Sequence, residues 1–480
     1  MNRKLCFLII FSLLILTLSA QSNLQINGIN EAQMIYRSAE DSLNVYFRDS
    51  FAFNLAYRNF LFGMKFIADL PKYSNQQTEL MQDLDPNRLD LGWKELYVSY
   101  SQDAFSIHAG TTAETFGQGL TFRSYEDIEF DEDHRIESFL VKYDKKLKLK
   151  AFYGGIESPS YTQKYDLAYG ADAQYPLMRG VQLGASALGF RNLGVLNQYA
   201  FRDVFAARSI ISLGNMEAYA EYAYSNNYKM ATADTEGQAI YANVDYMIGP
   251  LMLGGAYKLY DDFSYRLHDL PLANHHGETL SDALASGLDE EGWQARTTLF
   301  LSPTISFSAD YAEAWDEAKD KQMNDLYLEA AYSGSGEWLL SYSHIEKLND
   351  SDNQWQKEYY PALSAGITAF NTPLKLQAEF KTVEKQSNTD ESSHYEPKLQ
   401  ADFSLNKLAL SLGLASHWED FSSIAESRYM PSIEAKYPLF SHSDILIFAG
   451  KEAGGKVCRN GVCRFVAPFE GIKAELTTRF

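Results

Sequence analysis

Basic charge is in short supply in this 480-residue chain: 42 Lys and Arg stand against 63 Asp and Glu, leaving a net charge of −21. That balance opposes nucleic-acid binding, which needs cations against phosphate. Long apolar runs are missing too, because nothing after residue 20 is long enough for a membrane helix. Cysteine is nearly absent, with Cys6, Cys458 and Cys463 the only three. No Gly-x-Ser-x-Gly elbow, His-Glu-x-x-His, Walker or dinucleotide motif is found, so the usual signatures of hydrolases, zinc proteases and nucleotide enzymes are lacking. Aromatics are plentiful at 14%, which excludes a disordered chain.

Residues 1–20 carry Arg3 and Lys4 ahead of an apolar run from Leu5 to Leu18, then Ser19 and Ala20. This pattern predicts a secretory signal peptide over 1–20, cleaved after Ala20, with 21–480 as one domain. A membrane anchor would need about 20 apolar residues, and a lipoprotein would need Cys where Gln21 stands. An exported chain without membrane helices is either soluble or a β-barrel.

Alternation favours the barrel. Leu374, Leu376, Ala378 and Phe380 alternate with Lys375, Gln377, Glu379 and Lys381. Leu408, Leu410, Leu412 and Leu414 alternate with Ala409, Ser411, Gly413 and Ala415. The same period of two runs through 216–225 and 305–312, and it places successive side chains on opposite faces of a strand. Tight turns are predicted at Asp144-Lys145-Lys146, Met178-Arg179-Gly180, Gly214-Asn215, Gly249-Pro250, Pro303-Thr304, Gly334-Ser335-Gly336, Asn371-Thr372-Pro373 and Asn406-Lys407. Long polar connections are predicted at 70–89, 113–134, 226–237, 261–290, 316–322, 347–353, 384–392, 418–426 and 451–464, with a short helix beginning near Thr279 and Asp282 and stopped by Gly287. Short turns on one side and long loops on the other predict an all-β, antiparallel, up-and-down transmembrane β-barrel of about 24 strands, within 22–26. A secreted propeller or sandwich also alternates. The signal peptide, the turn asymmetry and the chain end separate the two.

At that end Ile472, Ala474, Leu476, Thr478 and Phe480 form one face, and Lys473, Glu475, Thr477 and Arg479 the other. This amphipathic final strand resembles the sorting signal of outer-membrane barrels, with Ile472, Ala474, Leu476 and Phe480 as the part read by the barrel-insertion machinery. Its free edge has to pair with the first strand, since an open edge in lipid leaves backbone groups unsatisfied.

Asn460-Gly461 is a preferred hairpin turn that sets Cys458 opposite Cys463 as a non-hydrogen-bonded pair with α-carbons about 4.5 Å apart, within disulfide reach. In an oxidising compartment this predicts a disulfide, readable by mass spectrometry of unreduced peptides. Two Cys alone do not make a zinc site. The stretch 110–135 holds Phe116-Gly117-Gln118-Gly119-Leu120, whose glycines let backbone pass close to a wall. Arg123, Tyr125, Glu126, Asp127, Glu129 and Asp131 are the candidate lumen constriction; the bland alternative is a solvated acidic loop. His275-His276-Gly277-Glu278 could supply metal ligands, and Ser341, Ser343 and His344 are the nucleophile-type residues on a strand, with no carboxylate partner evident. Lys375, Glu379, Glu217, Glu221, Asp310 and Asp402 are expected on the lumen face.

The segments Gly110…Glu114-Thr115-Phe116-Gly117-Gln118-Gly119-Leu120…Arg123-Ser124-Tyr125-Glu126 and Val457-Cys458-Arg459-Asn460-Gly461-Val462-Cys463-Arg464, with Thr478-Arg479-Phe480, resemble an uncharacterised, domain-of-unknown-function family of Gram-negative outer-membrane barrels. That resemblance implies fold and location, and carries no substrate or catalytic residues. The expected function is a porin-like passive channel for small solutes in the Gram-negative outer membrane, not an enzyme, with no cofactor and no metal. Its partners would be lipid and lipopolysaccharide, the insertion machinery, and small solutes or divalent cations. A receptor, adhesin or assembly scaffold with a blocked lumen is the alternative. An energy-coupled transporter is disfavoured, because no plug domain precedes the first strand.

Overall fold

Alternating apolar and polar residues can satisfy both lipid and water only if the sheet they form closes on itself. The computed structural model shows that closure. It describes residues 24–38, 44–70, 90–127, 132–157, 165–191, 201–228, 235–280, 289–349, 353–369, 372–387, 390–422, 424, 427–459, 462–466 and 468–480. Twenty-four antiparallel strands make one sheet in which each pairs with its chain neighbours. The last strand, Phe469–Arg479, pairs with the first, Leu24–Arg37, from Ile29 opposite Arg479 to Arg37 opposite Gly471. Beyond this ladder Gly28 and Phe480 exchange both backbone hydrogen bonds, at 2.8 and 3.0 Å. The Phe480 ring lies over Gly28, where any Cβ would meet it at 2.4 Å, and stacks on Phe51 at 5.7 Å. Among the described residues no helix is long and apolar enough to cross a membrane, so strands alone supply any span.

The predicted faces are observed. Tyr222, Phe307, Leu376, Leu412, Leu414, Ile472 and Leu476 all point outward and are exposed. Their neighbours Glu221, Asp310, Ser411 and Thr477 are buried inside. A continuous apolar outer surface over an ionisable interior is the inverse of a soluble sandwich and the surface a bilayer requires. Rings such as Phe66 on Trp93 and Trp293 on Tyr311 pack where strands near their ends.

Tight turns occupy 179–180, 214–215, 249–250, 303–304 and 406–407, with slightly wider ones at 145–147 and 334–336. The turns at Arg58-Asn59, Asp103-Ala104 and Ser441-His442 escape the sequence reading. Arg58 and Asp103 adopt positive φ (52° and 51°), a conformation expected of Gly or Asn, so residue type gave little signal there. Two predictions are corrected. Thr372 and Pro373 belong to the strand Thr372–Ser387 and not to a turn. The connection predicted at 384–392 is mostly strand, since Thr372–Ser387 and Asp390–Leu405 run on toward each other. The predicted helical segment at 281–288 lies outside the described residues, as does residues 1–20.

Candidate functional site

Two of the long connections turn into the barrel. In the first, Glu114–Phe116 and Phe122–Ser124 form a small hairpin around Gly117 and Gly119, both with positive φ. The tip runs so close to the wall that a Cβ on Gly117 would meet the Tyr219 hydroxyl at 2.5 Å and Glu221 at 2.6 Å. This is the close backbone approach expected of those glycines. Phe116, Leu120 and Phe122 are fully buried against the lumen-facing Phe152, Leu188 and Val204. The second connection, 262–280, lays Phe263, Leu267 and Leu270 into the same cluster. Burying a side chain of this size contributes roughly 1.5–3 kcal/mol, so six of them hold the loops firmly.

Main-chain bonds join the two loops. Arg123 N–H donates to Leu267 O (2.8 Å) and Asp269 N–H to Gly119 O (3.1 Å). The Tyr265 hydroxyl donates to Thr121 O at 2.6 Å. Together the loops form a shelf against one side of the lumen, near the ends of the strands that lead into the long connections.

The charges placed in the candidate constriction mostly anchor this shelf. Arg123 pairs with Asp269 and lies 4.2 Å over the Tyr125 ring. Glu126 binds Lys65 at 2.9 Å and lies 3.4 Å from Arg135. Arg135, whose side chain is 7% exposed, also holds Glu95 at 2.7 Å and Asp133 at 2.8 Å. Burial raises the Asp133 carboxyl, but its bonds to Arg135 outweigh that and hold it below the usual range. Glu114 behaves alike, with Lys142 and Lys150 overriding burial to lower it. Glu129, Asp131 and the side chain of Asp127 lie outside the described residues.

The second loop continues along the wall. His276 uses both ring nitrogens, Nδ1 at 2.7 Å from Asp325 and Nε2 at 2.9 Å from the Ser343 hydroxyl. His275 stacks on Tyr327 with ring centroids 3.6 Å apart, and Glu278 binds Lys347 at 2.8 Å. The imidazoles considered as metal ligands thus face the wall, while Glu278 turns elsewhere. Burial, then the neighbouring His276, lowers the His275 pKa. Asp325, His276 and Ser343 stand in the order of a hydrolase triad that the sequence reading missed, because its members are far apart in the chain. Ser343 sits between two paired strands, opposite Tyr327 and Tyr360, so the backbone N–H groups around it serve the ladder and not a developing oxyanion. His276 thereby links the loop to two strands of the wall.

Of the other residues expected inside, Glu221 bonds Tyr219, Asp310 accepts from Gln294 at 2.8 Å, Glu379 lies 3.5 Å from Lys398, and Asp402 accepts from Gln400 at 2.9 Å. Lys375 and Glu217 lie opposite Asp402 and Asp245 in register. Below the shelf is a polar cavity of about 300 Å³, lined by Gln118, Lys150, Asp172, Arg208 and Tyr219. Cys458 lies opposite Cys463 in the small ladder Gly455–Arg459 with Val462–Val466, the predicted register; their side chains and Asn460-Gly461 lie outside the described residues.

The model of a family of unknown function, DUF6029, matches residues 1–282, a span that includes the shelf. The chain belongs to this family. No curated protein matches the chain. Among solved structures the P pilus usher PapC, in an E. coli tip assembly intermediate with PapD, PapK and PapG, is similar over 95% of this chain and 60% of that one, with 10% identity and a TM-score of 0.57. The chain thus spans less than two thirds of that usher. The siderophore receptor PirA of Pseudomonas aeruginosa has 10% identity, a TM-score of 0.48, and 95% and 80% of the two chains covered. OccAB1 of Acinetobacter baumannii has 11%, 0.42, and 68% and 91%. At such identities the likeness to the usher speaks for the barrel fold alone, and the family brings no activity with it.

Proposed function

We propose that this barrel is a non-enzymatic, porin-like channel of the Gram-negative outer membrane that passes small hydrophilic solutes between the shelf and the wall opposite it. The observation that carries the reading is the partial reach of the shelf round the described wall. It is tied to strands from Phe60–Leu70 round to Glu337–Asn349. From Gln354–Ala369 to Arg428–Phe440 the lumen face is instead lined by charged and polar side chains such as Glu358, Lys381, Lys398, Gln400 and Glu434. A wall of fixed, paired charges keeps water in the passage and sets a field for solutes. Sequence supports the location through the signal peptide and the terminal strand, with the long connections facing outward and lipid and lipopolysaccharide around the belt.

The test is conductance of the purified, folded barrel in planar bilayers. Steady channels are expected, and replacing 115–122 and 263–272 with short Gly-Ser segments should raise the single-channel conductance several-fold. A silent membrane at every voltage would remove the channel reading and leave a scaffold or surface-binding barrel with a filled lumen.

A further inference from the structure

One short pattern recurs three times along the chain: Ser343-His344-Ile345-Glu346, Ser393-His394-Tyr395-Glu396 and Ser416-His417-Trp418-Glu419. The last two lie on neighbouring antiparallel strands, and the ladder brings them together. Lys398 pairs with Ala415, and farther along Tyr395 and Trp418 exchange both backbone bonds at 2.8 and 2.9 Å. The register between them is unbroken, so Glu396 falls opposite His417 and His394 opposite Glu419. Glu396 and His417 flank a hydrogen-bonded pair, which puts them at the closer, non-hydrogen-bonded spacing. The aromatic members point the other way and join Phe380 and Phe421 in a ring cluster on the outer face. Two His and two Glu are left in a checkerboard on the lumen side.

The geometry points to a binding site for a single borderline divalent metal ion such as Zn²⁺, held by His394 Nε2, Glu396 and His417 Nδ1 at the long-connection end of the lumen wall. The three donor groups offer atoms all within 4.8 Å of one another. Nε2 of His394 is 3.3 Å and Nδ1 of His417 is 3.8 Å from the same Glu396 oxygen. Ligands on tetrahedral zinc lie about 3.4 Å apart, so small side-chain rotations close the site, with water as the fourth ligand. The second carboxylate decides the tautomer. His417 Nε2 donates to Glu419 at 3.2 Å, which leaves the Nδ1 lone pair free to face the ion; metal-bound imidazoles are oriented by carboxylates in this way. The neighbour of His394 on its other side is Val383, apolar and buried, while that of His417 is Arg428, which lies within electrostatic reach of Glu470. An ion here ties the two strands beside Pro397, a residue with no N–H to give the ladder. The third copy serves as a built-in control. There Glu346 is taken by Lys357 at 2.9 Å, and His344 packs on Tyr359.

The experiment titrates Zn²⁺ alone, by calorimetry, into the folded full-length barrel in detergent, with Co²⁺ absorption as a second readout. One site per chain is expected. It should vanish in the double variant His394→Gln with His417→Gln, and Glu419→Gln should weaken it about 10- to 100-fold. His344→Gln and His276→Gln should leave it unchanged. A wild-type barrel that takes up no Zn²⁺, or a double variant that binds it as tightly, overturns the site. Gel mobility before and after boiling reports folding of each variant; if the double variant does not fold, the fold-change in Glu419→Gln decides.

Discussion

At the scale of single residues, the interior is ionic where a soluble core would be greasy. Lys258 is fully buried and pairs with Glu290, itself 4% exposed, and Gly292 gives its stem room, since a Cβ there would meet Lys258 Cε at 3.0 Å. Removing one member of such a pair leaves the other charge buried and uncompensated, at a cost of about 3–5 kcal/mol, while removing both is often neutral. Lys258→Met alone should therefore lower the urea midpoint of the barrel in lipid vesicles, and adding Glu290→Leu should restore most of it. Equal losses in the single and double variants would mean that the pair is not what holds this part of the wall. The arginine pairs follow the same logic, as in Arg208 with Asp172 at 2.7 Å, reinforced by the Ser186 hydroxyl.

At the scale of elements, the shelf should have its own pH response. His268 packs against Phe263 and Tyr265 and accepts a bond from the Tyr265 N–H at 2.9 Å. Burial, helped by nearby Arg202, pushes its pKa from 6.5 down to about 3. The displaced loop binds a proton more readily than the docked one between those values, so docking weakens as pH falls from about 6.5 toward 3. Channel noise or conductance should rise over that window and revert at neutral pH, and His268→Gln should flatten the response. A wild-type channel indifferent to acid would show that His268 does not gate docking.

The strands were legible because lipid outside and water inside impose a period of two on every one of them, as in 374–381 and 408–415. The approach of Gly117 to the wall could be anticipated from Phe116-Gly117-Gln118-Gly119-Leu120. What the shelf rests on could not, because Leu267 and Asp269 meet Arg123 and Gly119 across some 145 residues, and no local pattern encodes that pairing. The acids of 126–133 read as a candidate constriction; that Glu126 pairs with Lys65 and Asp133 with Arg135 was not legible, since charge says nothing of which cation lies opposite. The recurrent Ser-His-x-Glu pattern was readable but went unread, its meaning depending on the register that sets His394 beside His417.

At the scale of the whole molecule, 63 acidic against 42 basic residues would give the proposed channel a negative field. Such a field concentrates cations at the mouths and in the passage. Under a salt gradient the reversal potential should take the sign of cation preference, and high salt should weaken that preference as screening shortens the reach of the charges. Anion preference would mean that the lumen charges outweigh the molecule's own balance.

The shelf also divides the tube mechanically. Staves braced from within should resist bending, and those opposite, whose described ion pairs run along the wall as Glu358 with Lys381 and Glu379 with Lys398 do, should flex more readily. Thermal changes in bore should arise almost wholly on the unbraced side, making the passage one fixed jaw and one that breathes.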